Sequence, residues 1–441
     1  SQHTAISLFT SGGLGDLALR RAGFDLLVSN ELLEERHAVF QANFPDTHAI
    51  TGDIWRNQDS ILAATRDRLA GRELGLFYAT PPCQGMSKNG RGKLLNAIRA
   101  GLKPPNDERN RLIVPTMQIA RALRPETVVL ENVPEMAETV IVDEDGDAIG
   151  IVEFIEHELG SEYAGRAEVV EFADYGVPQC RQRLITVFFR NPAVVGWLSR
   201  TGSLIAPPTH SVGGVNGLRR WRTVRDVIAE TPPLDARDRE SATSSIAYHR
   251  VPLLDPMKYW WVENTPPERS AFDNQCSSCG FDGNPAHSAK RDSSGINRAS
   301  RHTPLFCARC GAMLPRPSVE RGGERKLMRG FTSAYKRMSF DRPASALTRN
   351  LSYACSDNKL HPEQNRVLSL HEAFKLHTLD GYDYLWDRAD GKRLSDKTVR
   401  EIIGESIPPA GSQAIIDHLV AIREGRVSAT HAIGPLFAAS R

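Results

Sequence analysis

The sequence predicts an α/β architecture for its first 190 residues, a parallel sheet covered by helices on both faces, followed by a smaller domain of irregular structure. Three observations carry this. Short apolar runs alternate with longer amphipathic stretches up to about residue 190. From Asn191 that alternation gives way to frequent Pro, Gly, Ser and Arg, and after His361 helical periodicity returns. The strand candidates are Ala5–Phe9, Asp25–Ser29, Ala49–Thr51, Leu74–Ala79, Thr127–Leu130, Ala167–Phe172 and Leu184–Phe189, each rich in Val, Ile, Leu or aromatics and bounded by turn residues. The expected division is residues 1–190 for the sheet domain, 191–395 for the second domain, and 396–441 for a C-terminal segment that returns to the first. The last strong amphipathic stretch, Ser412–Ile422, follows the stop-like IPPAG of Ile407–Gly411. The acidic Asp143–Asp147 lacks the later ligand spacing of a calcium loop and reads as a solvated hairpin turn.

A chain of 441 residues with 40% hydrophobic and 24% charged residues, and no apolar run near the roughly 18 residues of a membrane span, has the composition of a soluble globular protein. Membrane and fibrous classes are excluded. Lys and Arg total 55 against 53 Asp and Glu, so a polyanion would be met by local charge rather than by the net +2. The opening SQHTAISLF lacks the layout of a signal peptide, and a cytoplasmic location is expected. Seven cysteines are too few for a disulfide scaffold, and four fall in two CxxC pairs, which in a reducing compartment reads as metal.

Ser7–Asp16 (SLFTSGGLGD) sits where the first strand ends and a helix begins, and its glycines let backbone N–H groups approach a ligand. Glu31 follows the second strand, placed to accept both hydroxyls of a ribose, and Asp53 follows the third. Together they describe a nucleoside pocket. The fourth strand runs into Thr80–Ser87 (TPPCQGMS), which puts Cys83 at the carboxyl end of a parallel strand as a nucleophile candidate. The next strand ends in Glu131-Asn132-Val133, so a carboxyl group emerges beside Cys83. Burial should raise its pKa and keep it protonated as a donor; the alternative is a buried, ion-paired Glu. In Tyr175–Arg183 (YGVPQCRQR) the alternation points Arg181 and Arg183 to the same face, where two inward arginines want an anion or a carbonyl.

These motifs, in this order over nearly the full length, resemble the C5-cytosine DNA methyltransferases: PPCQ, ENV, QxRxR and a late GxSxPP. The resemblance implies a Rossmann-like S-adenosylmethionine-dependent sheet plus a target recognition domain. It implies that Phe9, Thr10, Gly12, Gly13, Gly15, Asp16, Glu31, Asp53, Ile54, Pro81 and Ser406 hold S-adenosylmethionine. Cys83 is then the nucleophile, Glu131 contacts the target base, Arg183 reaches the cytosine O2, and Arg181 and Gln179 support it. The Pro82 carbonyl would accept from the base N4, with Gln84, Ser87 and Asn132 also at the substrate. His361–Arg366 (HPEQNR) resembles the block after the recognition domain, and Gly404–Pro409 (GESIPP) the final motif that returns to the cofactor. A thiolate adding to C6 turns the ring into an enamine able to take a methyl group, which requires the base to be flipped out of the duplex. The stretch Gly85–Arg111, with Lys88, Arg91, Lys93, Arg99, Lys103, Arg109 and Arg111, is expected to be a basic loop closing over DNA.

The sequence departs from the family pattern at Ser11, where Gly is common, and at Glu405, where Asn is commoner. Ser11 should be tolerated if the backbone there does not need positive φ. A carboxylate at Glu405 would alter the charge near the cofactor. The further addition is Cys276-Ser-Ser-Cys279 and Cys307-Ala-Arg-Cys310, each followed by Gly, the arrangement of a structural zinc site that stiffens a core-poor subdomain. The alternatives are free thiols, a disulfide pair, or His287 or His302 in place of one sulfur. Trp221, Tyr259, Trp260 and Trp261 read as core rather than base wedges. The basic run Arg316, Arg321, Arg325, Lys326, Arg329, Lys336, Arg337 and Arg342 reads as phosphate-contacting.

The implied function is methylation of duplex DNA by a monomer, as host self-marking beside cognate restriction or defence proteins, in the cytoplasm at the nucleoid. The competing readings are an RNA cytosine-5 methyltransferase and a catalytically silent sequence-specific DNA-binding protein.

Overall fold

The inner strands of the first domain read as near-continuous buried runs because both faces of their sheet are covered. The computed structural model describes residues 3–82, 110–142, 148–286, 289–291, 297–299, 303–328 and 333–427. Seven strands make the sheet: β1 (Thr4–Leu8), β2 (Asp25–Glu31), β3 (His48–Thr51), β4 (Leu76–Ala79), β5 (Thr127–Asn132), β6 (Ala164–Glu171) and β7 (Gln182–Phe189), in the order β3-β2-β1-β4-β5-β7-β6. All seven candidate segments contribute. The expectation of a parallel sheet is corrected at β7, which runs antiparallel to both β5 and β6. The connection from Phe172 to Arg181 holds a short 3-10 turn and the two-residue strand Gln179–Cys180, too little for the crossover a parallel pair requires.

Side chains alternate across the sheet. Ala5, Tyr78, Val129, Ile185 and Val187 face one helical layer, while Ile6, Phe77, Val128, Leu130 and Leu184 face the other. The first layer includes α1 (Leu17–Arg21), α2 (Glu34–Asn43) and, from the far end of the chain, helices beyond residue 369; the second includes α3 (Ile54–Leu69), α4 (Ile113–Leu123) and α5 (Ile151–Leu159). Val140–Val142 pairs antiparallel with Ala148–Gly150, the two arms of the expected hairpin; residues 143–147 lie outside the described set.

Residues 234–367 supply a separate core around Trp261, Phe272, Tyr335 and Leu360, stitched by short strands and isolated bridges. Tyr259 and Trp261 are buried in it as expected, and Trp260 packs against it. Trp221 instead donates its indole N–H to Asp174 at 2.9 Å. Two members of the basic run are corrected. Arg316 is fully buried on the carbonyls of Asn274, Pro285 and Pro304, and Arg337 is buried on those of Thr265, Val262, His361 and Gln364. Both are spent on their own fold and face no phosphate. Arg321, Lys326 and Arg342 are exposed, and Arg329 lies outside the described residues.

After residue 369 helices return as α6 (Leu370–Leu376), α7 (Asp396–Glu405) and α8 (Pro409–Arg423). The helical run does stop before Ile407–Gly411, with Ser406, Ile407 and Pro408 separating α7 from α8, while Pro409–Gly411 already belong to α8, which Pro409 opens at a position where its missing N–H costs nothing. α6 begins with a capping box between Ser369 and Glu372.

Candidate active site

The carboxyl ends of β1, β2, β4 and β5 open onto a cleft of about 420 Å³, the edge on which open α/β sheets take ligands. Phe9, Thr10, Gly15, Asp16, Glu31, Asp53, Ile54, Pro81, Pro82, Glu131, Asn132, Arg183 and Ser406 line it, as the motifs predict. Gly12 and Gly13 do not. A Cβ at Gly12 would meet Tyr384 Oη at 2.7 Å, and one at Gly13 would meet Phe40 and Phe44 at 2.8 Å, so these glycines let the turn pack on neighbouring side chains. Cys83, Gln84 and Ser87, with the basic stretch through Arg109, lie outside the described residues.

Glu31 is held by the turn it serves. Ser11 N–H donates to its Oε2 at 2.8 Å and Leu33 N–H to its Oε1 at 3.0 Å. Burial pushes its carboxyl above the usual range, opposed by those two N–H groups and by Arg36. To make the first bond Ser11 adopts φ +48°, so the condition for tolerating a side chain there is not met and the residue bears left-handed strain. Asp53 caps α3, accepting from Trp55 N–H at 3.0 Å.

Asp16 is fully buried, and burial pushes its carboxyl up to about 7, with Ser7 offsetting part of the rise. Its Oδ1, Thr10 Oγ1 and Tyr78 Oη are buried with no hydrogen-bond partner among the described residues. Orphaned polar atoms of this kind in one cleft mark a place where a polar ligand completes the structure. Beside them Leu32 stands 62% exposed on the cleft wall, an apolar surface for a flat ring. These groups fit S-adenosylmethionine, which pairs a nucleoside with a charged amino-acid tail.

At the other end Glu131 is buried and ion-paired, with Arg183 Nε 2.7 Å from its Oε1. The ion-paired alternative is the one observed, because β7 lies directly against β5 and pairs Ile185 with Glu131. Asn132 Nδ2 donates to the Pro81 carbonyl at 2.6 Å and ties the approach to Cys83 to the end of β5. Arg181 is buried elsewhere, donating to the carbonyls of Leu347, Gly404 and Ser406. Burial, then the Arg183 charge, pulls it well below the usual arginine range, with Glu131 opposing. Gln179 donates to the Leu376 carbonyl and His377 Nδ1 and accepts from Leu347 N–H. Both therefore brace the segments around the cleft without lining it. His377, whose Nε2 lies 3.2 Å from Ser406 Oγ, was not anticipated, and no local pattern marks it.

The second cluster is the cysteine quartet. The sulfurs of Cys276, Cys279, Cys307 and Cys310 all lie within 4.8 Å of one another, with three pairs at 3.6–3.8 Å. A tetrahedron of Zn–S bonds near 2.3 Å has edges of about 3.8 Å. Backbone N–H groups of Cys279 and Arg309 point at Cys276 and Cys307 sulfur, as charge on the thiolates requires. The donor set thus fits zinc, with no free position for substrate. His287 and His302 lie outside the described residues.

A family model for C-5 cytosine-specific DNA methylases matches residues 3–421. The chain belongs to that family. The methylase is therefore an enzyme, a DNA (cytosine-5-)-methyltransferase. It is similar to the type II methyltransferase M1.HgaI of Avibacterium volantium, 26% identical over 413 residues, 92% of this chain and 94% of the relative. M1.HphI of Haemophilus parahaemolyticus is 24% identical over 417 residues, 94% and 86% of the two chains. Among solved structures, the methyltransferase EhMeth of Entamoeba histolytica shares the methylase fold with a TM-score of 0.52 at 13% identity, covering 97% of this chain and all of that one. No described helix is long and apolar enough to cross a membrane.

Proposed function

We propose that this methylase transfers a methyl group from S-adenosylmethionine to C5 of a cytosine flipped out of a specific duplex DNA sequence, through a covalent bond from Cys83 to C6. One observation carries the reading. A single cleft is lined by Glu31, the orphaned Asp16, Thr10 and Tyr78, the Glu131–Arg183 pair, and Pro81 and Pro82, which lead the chain into Cys83. When bound, S-adenosylmethionine supplies an electrophilic methyl group. Glu31, Asp16 and Ser406 would hold that donor, and Leu32 and Ile54 would supply apolar surface to it.

The Cys83 thiolate adds to C6, and the displaced electron pair spreads over C5, N3 and O2. Arg183 donates to O2 and Glu131 engages N3, stabilising that charge where it develops. Their mutual contact holds both side chains before a base arrives. C5 would take the methyl group as the donor's S–CH3 bond breaks and S-adenosylhomocysteine leaves as a neutral thioether; the C5 proton then leaves to water and the Cys83–C6 bond breaks, restoring aromaticity and the thiolate. Residues 191–395 form the recognition domain that selects the sequence, with zinc stiffening residues 276–310. The host context is self-marking within a restriction or phage-defence system, performed by a cytoplasmic monomer.

The deciding experiment is base-resolution conversion sequencing of DNA from a methylation-free host expressing the chain, with Cys83→Ala as control. Protected cytosines in one short motif, absent in the variant, are expected. No protection despite folded protein refutes the proposal and turns attention to RNA or to silent binding.

A further inference from the structure

Arg36 stands on the first turn of α2, five residues beyond Glu31, and its side chain is only 10% exposed. Its Nη1 lies 2.5 Å from Glu405 Oε2 and its Nη2 3.2 Å from Glu401 Oε2. The two glutamates are four apart on α7 and so share one face of it. A second link joins the same helices, from Thr398 Oγ1 to Glu35 at 3.1 Å. Arg36, Glu31 and Glu405 all line the cleft. Glu31 and Glu405 thus stand on one wall of a partly buried site together with the Arg36 guanidinium, which contacts Glu405 and, away from the cleft lining, Glu401. Glu405 acts on Glu31 as a like charge and Arg36 as its counter-charge.

From this arrangement we infer that Arg36 and Glu405 form a charge clasp, in which Arg36 is a positioning residue that neutralises Glu405 so that Glu31 meets the methyl donor as the single free carboxylate of that wall. The inference deepens the cofactor reading and rests on it. It explains how a carboxylate is accommodated where the family commonly carries Asn, since the acid arrives with its own counter-ion. It also assigns α7 a part in closing the cleft that differs from bracing by Arg181, which reaches only backbone carbonyls.

The clasp separates from a simple tether by second-site rescue. If Arg36 mattered only as a link between α2 and α7, removing Glu405 as well could not help. If it matters as the counter-charge, neutralising Glu405 restores what the loss of Arg36 removes. The experiment is calorimetric binding of S-adenosylhomocysteine to the purified chain, with thermal melts confirming that each variant is folded. Arg36→Gln should weaken binding by about tenfold, and Arg36→Gln with Glu405→Gln should recover most of that loss. Arg36→Lys, which keeps the charge, should bind more tightly than Arg36→Gln. Wild-type affinity in Arg36→Gln, or a double variant no better than the single one, overturns the clasp. Absence of binding by the wild-type chain instead fails the cofactor assignment and removes the basis of the clasp with it.

Discussion

Replacing Glu372 by Gln tests how the block at His361–Arg366 is anchored. Glu372 and Arg366 are both wholly buried, and Arg366 donates to both carboxylate oxygens, at 2.7 and 2.8 Å. Ser369 N–H at 2.9 Å and Thr231 Oγ1 at 3.0 Å complete the shell. Burial acts to raise the Glu372 pKa, but the bonds and charge of Arg366 outweigh it and pull the group from 4.5 down to about 2. A fall of that size corresponds to about 3 kcal/mol of stability, in line with the roughly 3–5 kcal/mol lost when one partner of a buried pair is removed. Because the folded pKa is depressed, this stability is fully present above about pH 4.5 and is lost as the pH falls toward 2. Glu372→Gln should therefore lower the melting temperature at pH 7 by about 3 °C. The gap to wild type should narrow as the pH falls from about 5 toward 2, where the Glu372 carboxylate protonates in the unfolded wild-type chain before it does in the folded one, while the glutamine does not titrate. The assay is paired thermal denaturation across that range. A variant melting within about 1 °C of wild type at pH 7, or a gap unchanged by acid, refutes the reasoning.

Three further outcomes follow from the site. Ser11→Gly relieves a left-handed residue and should stabilise the chain by about 1 kcal/mol in urea titration; a loss of stability would show that the Ser11 side chain contributes more than its strain costs. Glu131→Gln should slow methyl transfer by about 10² in single-turnover assays, and an unchanged rate would leave Glu131 as a partner for Arg183 alone. Metal analysis of chelator-washed protein should find about one zinc per chain, lost in Cys276→Ser; less than about half an equivalent in the wild type removes the metal site.

The strands were legible because each is a local apolar run between turn residues, and most cleft residues because their motifs sit at strand ends. What escaped is non-local. The direction of β7 depends on the brevity of the link from Phe172 to Arg181. Arg36 meets Glu405 across 369 residues of chain, so Glu405 is conspicuous as a departure from the family pattern but its partner is not. Arg316 and Arg337 carry the charge of phosphate contacts, yet each fills a cage of carbonyls that only the folded loops bring together. Ser11 shows the same limit at the backbone, since its side chain is read from the sequence but its φ is set by the carboxylate of Glu31.

The cleft takes walls from opposite ends of the chain: Phe9–Asp16 from β1 onward, and Gly404–Ile407 from the end of α7 toward α8. During synthesis the first wall emerges from the ribosome nearly four hundred residues ahead of the second. A nascent chain therefore lacks one wall of its pocket, and the late helices that cover one face of its sheet, until the last part of the chain has been made.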